Sequence, residues 1–250
     1  MKYFVNKHTK EVLIGLSGIM FNLAIFAQDS LHLPLSKGFL IEQEGYYVDY
    51  DTLRHTAYWV AYELTEEELV KNFDRKHGFT QCKELHYRIS SDDIKESVDG
   101  YQKGHLKPAR DSQATQEQRY DANEMVNIAP QSGKLNTGVW KELEESCRDL
   151  VVEYGSAYII CGSSLESIDT LDAGIMVPKS FWKTVLISIE DTLCSYTYII
   201  PNNLDEYKKL NNYCICIDSL ERIIDLDLFE KLETNKKFSE SNINYLLGDN

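Results

Sequence analysis

The sequence predicts an α+β fold, a central antiparallel or mixed sheet flanked by helices. Three observations carry this. Runs rich in aromatic and β-branched residues, such as YYVDYD, TAYWVAYEL, AYIICG, FWKTVLISI and CSYTYII, read as strands. NTGVWKELEESCRDLVVEYG reads as one long amphipathic helix, because Trp140, Leu143, Cys147, Leu150, Val151 and Tyr154 recur at a spacing of three to four. The strands and helices do not alternate regularly, which disfavours a doubly wound parallel sheet.

The chain has 250 residues, enough for one large domain with a buried core, and its 43% hydrophobic and 26% charged content is that of a globular protein. Near the N-terminus, Lys2, Lys7 and Lys10 precede the apolar run VLIGLSGIMFNLAIFA, and the small residue Ala27 precedes the polar QDS. This pattern reads as a secretory signal peptide over residues 1–27. It predicts a secreted or periplasmic protein with no stable membrane association after cleavage. No later segment is long and apolar enough to cross a bilayer.

Residues 28–44 read as an irregular leader, followed by two strands. TEEELVKNF is a short helix in which Thr65 and Glu68 form a capping-box pattern. SSDDIKESVDGY is polar and turn-rich. GHLKPARD starts as a strand that Pro108 ends. SQATQEQRYDANEMVNIAPQ gives a helical segment and then a loop broken at Pro130. Gly155 stops the long helix. Pro178 and Pro201 bracket the next strands, YCICI is a further short strand, and DSLERIIDLDLFEKL is a terminal helix or helix pair. The domain is expected to span residues 45–233, with a polar tail at 234–250.

The formal charge is −14, and becomes −16 once residues 1–27, with three Lys and one Glu, are removed. Bulk charge of that sign argues against nucleic acid as a partner. Residues 96–148, however, hold nine acidic and seven basic side chains, so this stretch is nearly neutral. It includes YQKGHLKPARD, where Lys103, Lys107 and Arg110 surround His105. Six cysteines, none in a CxxC pair, disfavour a zinc ribbon. They leave disulfides and buried free thiols both open.

Taken singly, His105 reads as a core or surface histidine, and Glu144 with Arg148 as an i,i+4 surface ion pair. Taken together, a strand with a histidine is followed by a connection and a helix that carries Asn136, Glu144 and Arg148. In GYQKGHLKPARD, NIAPQSGKLNTGVWKELEESCR, IMVPKSFWKTVL and YIIPN, and earlier in GYYVDYDTLRHTAYWVAYELT and RKHGF, the chain resembles the DNA/RNA non-specific endonucleases, the ββα-metal, endonuclease G-like group. The resemblance covers about residues 45–233 and rests on several motifs in the family's order.

The resemblance implies a ββα-metal finger and a metal-dependent phosphodiester hydrolase. His105 aligns with the general base, Asn136 with the metal ligand, and Glu144 with the carboxylate that holds the ion's water shell and helps protonate the leaving group. Arg148 and Arg75 align with arginines at the phosphate, and Asn127 and Gln131 with supporting polar residues. Gln102 and Lys103 stand where the family has Asp-Arg. Lys103 keeps the positive charge at the phosphate but lacks the bidentate fork of Arg. The implied cofactor is Mg²⁺, with Mn²⁺ or another divalent cation as substitutes, and the implied products carry 5′-phosphates. The expected partner is the phosphate backbone of DNA and RNA, read without base specificity. Homodimers occur in the family; the sequence displays no dimer interface and identifies no inhibitor protein. The competing readings are a catalytically weakened module that binds nucleic acid, a secreted structural or interaction domain, and a phosphodiesterase for small substrates.

Overall fold

The computed structural model describes residues 33–69, 78–86, 89–189 and 192–229. The expected signal peptide at 1–27, Arg75 and the tail at 234–250 lie outside them. Seven strands form one sheet in the order β1 (Phe39–Gln43), β2 (Tyr46–Asp51), β3 (Thr56–Thr65), β6 (Ser156–Ser163), β9 (Ser180–Ile189), β10 (Thr192–Pro201) and β11 (Cys214–Ile215). Every neighbouring pair is antiparallel, so the α+β expectation holds in its antiparallel form.

The central strands are buried on both faces, which explains why they read as nearly continuous apolar runs. On one face Val60, Tyr62, Leu64, Ile159 and Val185 pack in a core shared with Trp140, Leu143, Cys147, Leu150 and Val151 of α4 (Trp140–Tyr154). On the other, Trp59, Ala61, Ile160, Trp182 and Leu186 pack with Leu220 of α5 (Ile217–Ile224). The sheet is thus the middle of three layers. The shorter helices are α1 (Glu66–Leu69), α2 (Glu96–Asp99) and α3 (Gln116–Asp121).

Three expectations change. Residues 39–43, expected within the irregular leader, form strand β1 and pair with β2 from Phe39↔Tyr50 to Gln43↔Tyr46. The stretch around Pro130, expected as a loop, is strand β5 (Ile128–Ser132), paired antiparallel with β4 (Tyr101–His105). A two-stranded ribbon tolerates proline because each strand has an unpaired side. YCICI yields only the two residues of β11, and Cys216 already caps α5. A further ribbon pairs β7 (Ser167–Thr170) with β8 (Met176–Pro178). All six cysteines are free thiols, four of them buried.

The β4–β5 ribbon is separate from the main sheet, so side chains must anchor it. Asn127, fully buried, is the main anchor. Its Oδ1 accepts from the Lys107 amide at 2.8 Å, and its Nδ2 donates to the Lys107 and Ala122 carbonyls, both at 2.8 Å. Gly104 is the second device. The Gln131 carboxamide lies across it so closely that a Cβ would meet the carboxamide at 2.2 Å. Gly104→Ala is therefore expected to overpack the ribbon and cost about 1–3 kcal/mol. Urea or thermal denaturation measures this; an unchanged midpoint would show that the ribbon has room to spare.

Candidate active site

His105 ends strand β4, and the chain holds it there from three sides. Its carbonyl accepts from Trp140 Nε1 at 3.2 Å, which ties the strand to the first turn of α4. Its ring lies 5.5 Å from the ring of Phe79. Its Nε2 lies 3.3 Å from Asn123 Oδ1. Asn123 is buried, and its Nδ2 donates to the Arg119 carbonyl at 3.0 Å. No sequence signal singled out Asn123, because its partner lies across the fold and not within a motif.

Lys103 is two residues before His105 and shares its face of the strand. Its ammonium donates to the Ile94 carbonyl at 2.6 Å and sits 5.8 Å from the Phe79 ring centroid, so Lys103 and His105 both lie against Phe79.

Asn136 lies in a wide turn, Leu135–Val139, that leads into α4; Gly138, with φ −107° and ψ −114°, breaks the helical path there. Asn136 Nδ2 donates to Gln102 Oε1 at 2.9 Å, and Gln102 Nε2 donates to Glu96 Oε1 at 2.8 Å. This chain fixes the Asn136 amide, leaving Oδ1 as the oxygen turned away from Gln102. Gln131 is fully buried beside Gly104, and neither Nε2 nor Oε1 has a hydrogen-bond partner. Its observed role is to fill space in the ribbon.

Glu144 and Arg148 continue the row of Trp140 along α4 at intervals of four. Their expected mutual ion pair is replaced by a buried network. Arg148 donates from Nη1 to Asp111 Oδ1 at 2.7 Å, and Asp111 is fully buried. Arg148 is thus turned into the protein, where it ties α4 to the turn that follows β4. Lys107, expected only to keep the surroundings from being acidic, is also buried; its Nζ donates to Gly45 O at 2.7 Å and Glu68 Oε1 at 3.1 Å. Lys183 of β9 is fully buried, with Nζ 4.7 Å from the Trp140 ring centroid and 3.5 Å from the Leu106 carbonyl. Arg110 is exposed.

Burial dominates the electrostatics of this network. It pushes the Glu144 carboxyl up to about 7; the Lys183 and Arg148 charges oppose the rise and Asp111 adds to it. Burial raises Asp111 as well, against the pull of Arg148, Lys183 and Lys107. Lys183 is held above the ordinary lysine value: burial favours its neutral form, but Cys161, Cys147, Glu144 and Asp111 outweigh it. The Cys147 thiol is raised to about 12 and that of Cys161 to about 11, chiefly by burial, so both are neutral near pH 7.

The arrangement offers an imidazole at a strand end, a neutral amide oxygen at a helix start and a carboxyl with a raised pKa one to two turns along that helix. It resembles sites that activate water against a phosphoryl group. Among the described residues, the three donor groups that converge on a common point, Cys82, Glu84 and Glu124, lie elsewhere and do not include these side chains.

Several known nucleases are similar to this chain. A nuclease from Nostoc sp. is 29% identical over 209 residues, covering 79% of this chain and 75% of its own length. Human mitochondrial endonuclease G is 28% identical over 200 residues, covering 73% of this chain and 67% of its own. A solved structure of EndoG in complex with EndoGI shares the fold, with a TM-score of 0.73 at 24% identity, over 80% of this chain and 89% of that one. The family described as DNA/RNA non-specific endonuclease matches residues 30–235. A match over that length shows that the protein belongs to the DNA/RNA non-specific endonuclease family, a group of divalent-metal-dependent nucleases.

Proposed function

We propose that this endonuclease hydrolyses DNA and RNA without base specificity, using one divalent cation, Mg²⁺ by preference, and leaving 5′-phosphate ends. The observation that carries the reading is the pairing of His105 at the end of β4 with Asn136 in the turn that leads into α4. The Trp140–His105 and Asn136–Gln102 hydrogen bonds join these two elements.

The donor set suits a hard cation. Mg²⁺ keeps most of its water shell and needs few protein ligands. Asn136 Oδ1 is a neutral oxygen whose amide is already oriented by Gln102, and Glu144 adds a partly buried carboxyl that would hold the ion's water shell. Bound there, a divalent cation supplies positive charge to the phosphoryl oxygens. The remaining work falls to the chain. His105 takes a proton from the attacking water as the new O–P bond forms. The P–O3′ bond breaks, the phosphate stays on the 5′ oxygen, and the 3′ oxygen takes up a proton from water with the help of Glu144. Lys103 is placed to meet the phosphate beside His105 if it exchanges the Ile94 carbonyl for that anion, and Arg75 is assigned the same duty from the family alignment. Arg148 acts through Asp111, holding α4 against the turn after β4. Asn127 and Gln131 support the ribbon.

The N-terminal sequence supports export of the mature domain to a periplasm or the exterior. The acidic body limits non-specific attraction to nucleic acid, and the contacts of cationic side chains with phosphate make the binding salt-sensitive.

Two outcomes check the reading. Plasmid DNA and an RNA transcript are both expected to be cleaved in Mg²⁺ and spared in EDTA. His105→Ala is expected to lower kcat by on the order of 10²-fold or more. Absence of Mg²⁺-dependent cleavage, or equal cleavage by His105→Ala, would overturn this reading. Glu144 provides the pH test. Below about 7 its carboxyl is protonated and adds no negative charge, and above that it is ionised. Affinity for Mn²⁺ or Mg²⁺ in calorimetry is therefore expected to rise with pH through about 7, and Glu144→Gln to flatten that rise. An equal slope in the variant would remove Glu144 from the cation site.

A further inference from the structure

From the geometry we infer a second ligand site on this chain: a cavity at the end of β3, with carboxyl groups at its floor and tyrosines in its walls, that takes a linear organic polyamine.

The cavity, of about 610 Å³, lies where the β1–β2 turn, the end of β3 and α1 meet. Two carboxyl groups in it carry an oxygen without a partner. Glu68 is 6% exposed; its Oε1 accepts from the Lys107 ammonium at 3.1 Å, but its Oε2 is buried and accepts from nothing. Glu63 also lines the cavity, and its Oε1 is buried and equally unpaired. Buried carboxylate oxygens ordinarily accept hydrogen bonds, so two bare ones on one cavity are an anomaly that a bound cation resolves. Lys107 does not resolve it, because its ammonium is engaged by Glu68 Oε1 and the Gly45 carbonyl. Burial and the Glu68 charge push the Glu63 carboxyl up to about 7, the direction expected of a carboxyl that faces a second one with no cation between them.

The walls select the kind of cation. Tyr46, Tyr47, Tyr62 and Tyr158 line the cavity, and tyrosine rings attract ammonium groups and cover the methylenes that carry them. Lys107 shows the fit within the chain itself: its Nζ lies 5.1 Å from the Tyr62 ring centroid and 6.0 Å from that of Tyr46. Three more carboxylates, Glu42, Glu44 and Glu67, are exposed at the rim. Negative charge therefore runs from floor to mouth. A chelated metal ion suits this poorly: among the described residues, the acidic groups of this cavity do not bring three donors to one point. A flexible chain with an ammonium at each end suits it well. One end donates N–H groups to Glu63 and Glu68, the methylenes lie along the tyrosines, and the other end meets the rim. Organic polycations condense on nucleic acid as counterions, so the family's substrate brings this class of ligand with it.

Calorimetry of the full chain with spermidine tests the site, at about 0.15 M salt to screen diffuse attraction to an acidic protein. Saturable binding of one spermidine per chain is expected, with Mg²⁺ competing poorly. Glu63→Gln keeps the shape and removes the charge; it is expected to weaken binding at least tenfold and to leave the thermal midpoint of the free protein unchanged. Glu67→Gln, at the exposed rim, is expected to weaken binding severalfold, and it decides the matter if Glu63→Gln fails to fold. Asp218→Asn, exposed on α5, is expected to change nothing. Three results would overturn the inference: no saturable binding, undiminished binding in the folded glutamate variants, or an equal loss in Asp218→Asn, which marks diffuse attraction only. Tighter binding of Mg²⁺ than of spermidine, abolished by Glu63→Gln, would overturn it in favour of a metal site.

Discussion

The ion pair between Asp111 and Arg148 is the constraint on which the catalytic end depends. A carboxylate with no solvent exposure must be matched by cations that are also buried, because leaving one unmatched costs several kcal/mol. Arg148 binds it directly, while Lys183 and Lys107 act on it through space. These three cations come from α4, β9 and the segment after β4. Charge balance therefore requires the helix, the sheet and the ribbon to meet in one arrangement. The same requirement explains why Glu144, close to this group, has its carboxyl raised to about 7: two cations favour its ionisation, and burial and Asp111 oppose it more strongly.

The acidic composition becomes easier to understand in this light. Lys103, Lys107, Lys183 and Arg148 are all drawn inward to some degree and engage carbonyl or carboxylate oxygens of the protein itself. The histidine is thus surrounded by cations that mostly serve the fold. A substrate phosphate would find Lys103 the most readily redirected of them, since it is only partly buried and its partner is a neutral carbonyl.

Much of the architecture was legible in the sequence because apolar spacing is a direct record of burial. The long strands and α4 follow from it. Strand β5 was not, since Pro130 reads as a break and only a two-stranded ribbon makes it harmless. Strand β1 was hidden by its mixed FLIEQ composition, with only Ile41 buried. At the site, motif order alone singled out His105 and Asn136 as candidates. Asp111, Lys107 and Lys183 were not singled out, because a charged residue in a sequence reads as solvated unless its partner is known, and each partner here is distant in the chain. Arg148 was read as a phosphate contact for the same reason. Asn123 was invisible because its contact with His105 is a product of tertiary structure alone. The exchange of Asp-Arg for Gln102-Lys103 acquires a local explanation: Gln102 both accepts from Asn136 and donates to Glu96, which places a carboxylate one side chain further out.

The free thiols bear on how the chain reaches this structure. Cys82, Cys147, Cys161 and Cys194 are buried without a covalent partner, and Cys214 and Cys216 are only partly covered. The native state thus contains no cross-link that an oxidant must form or a reductant can break. Folding of the described residues is decoupled from the redox potential of its surroundings, and packing and ion pairing alone supply what covalent staples supply in many exported proteins.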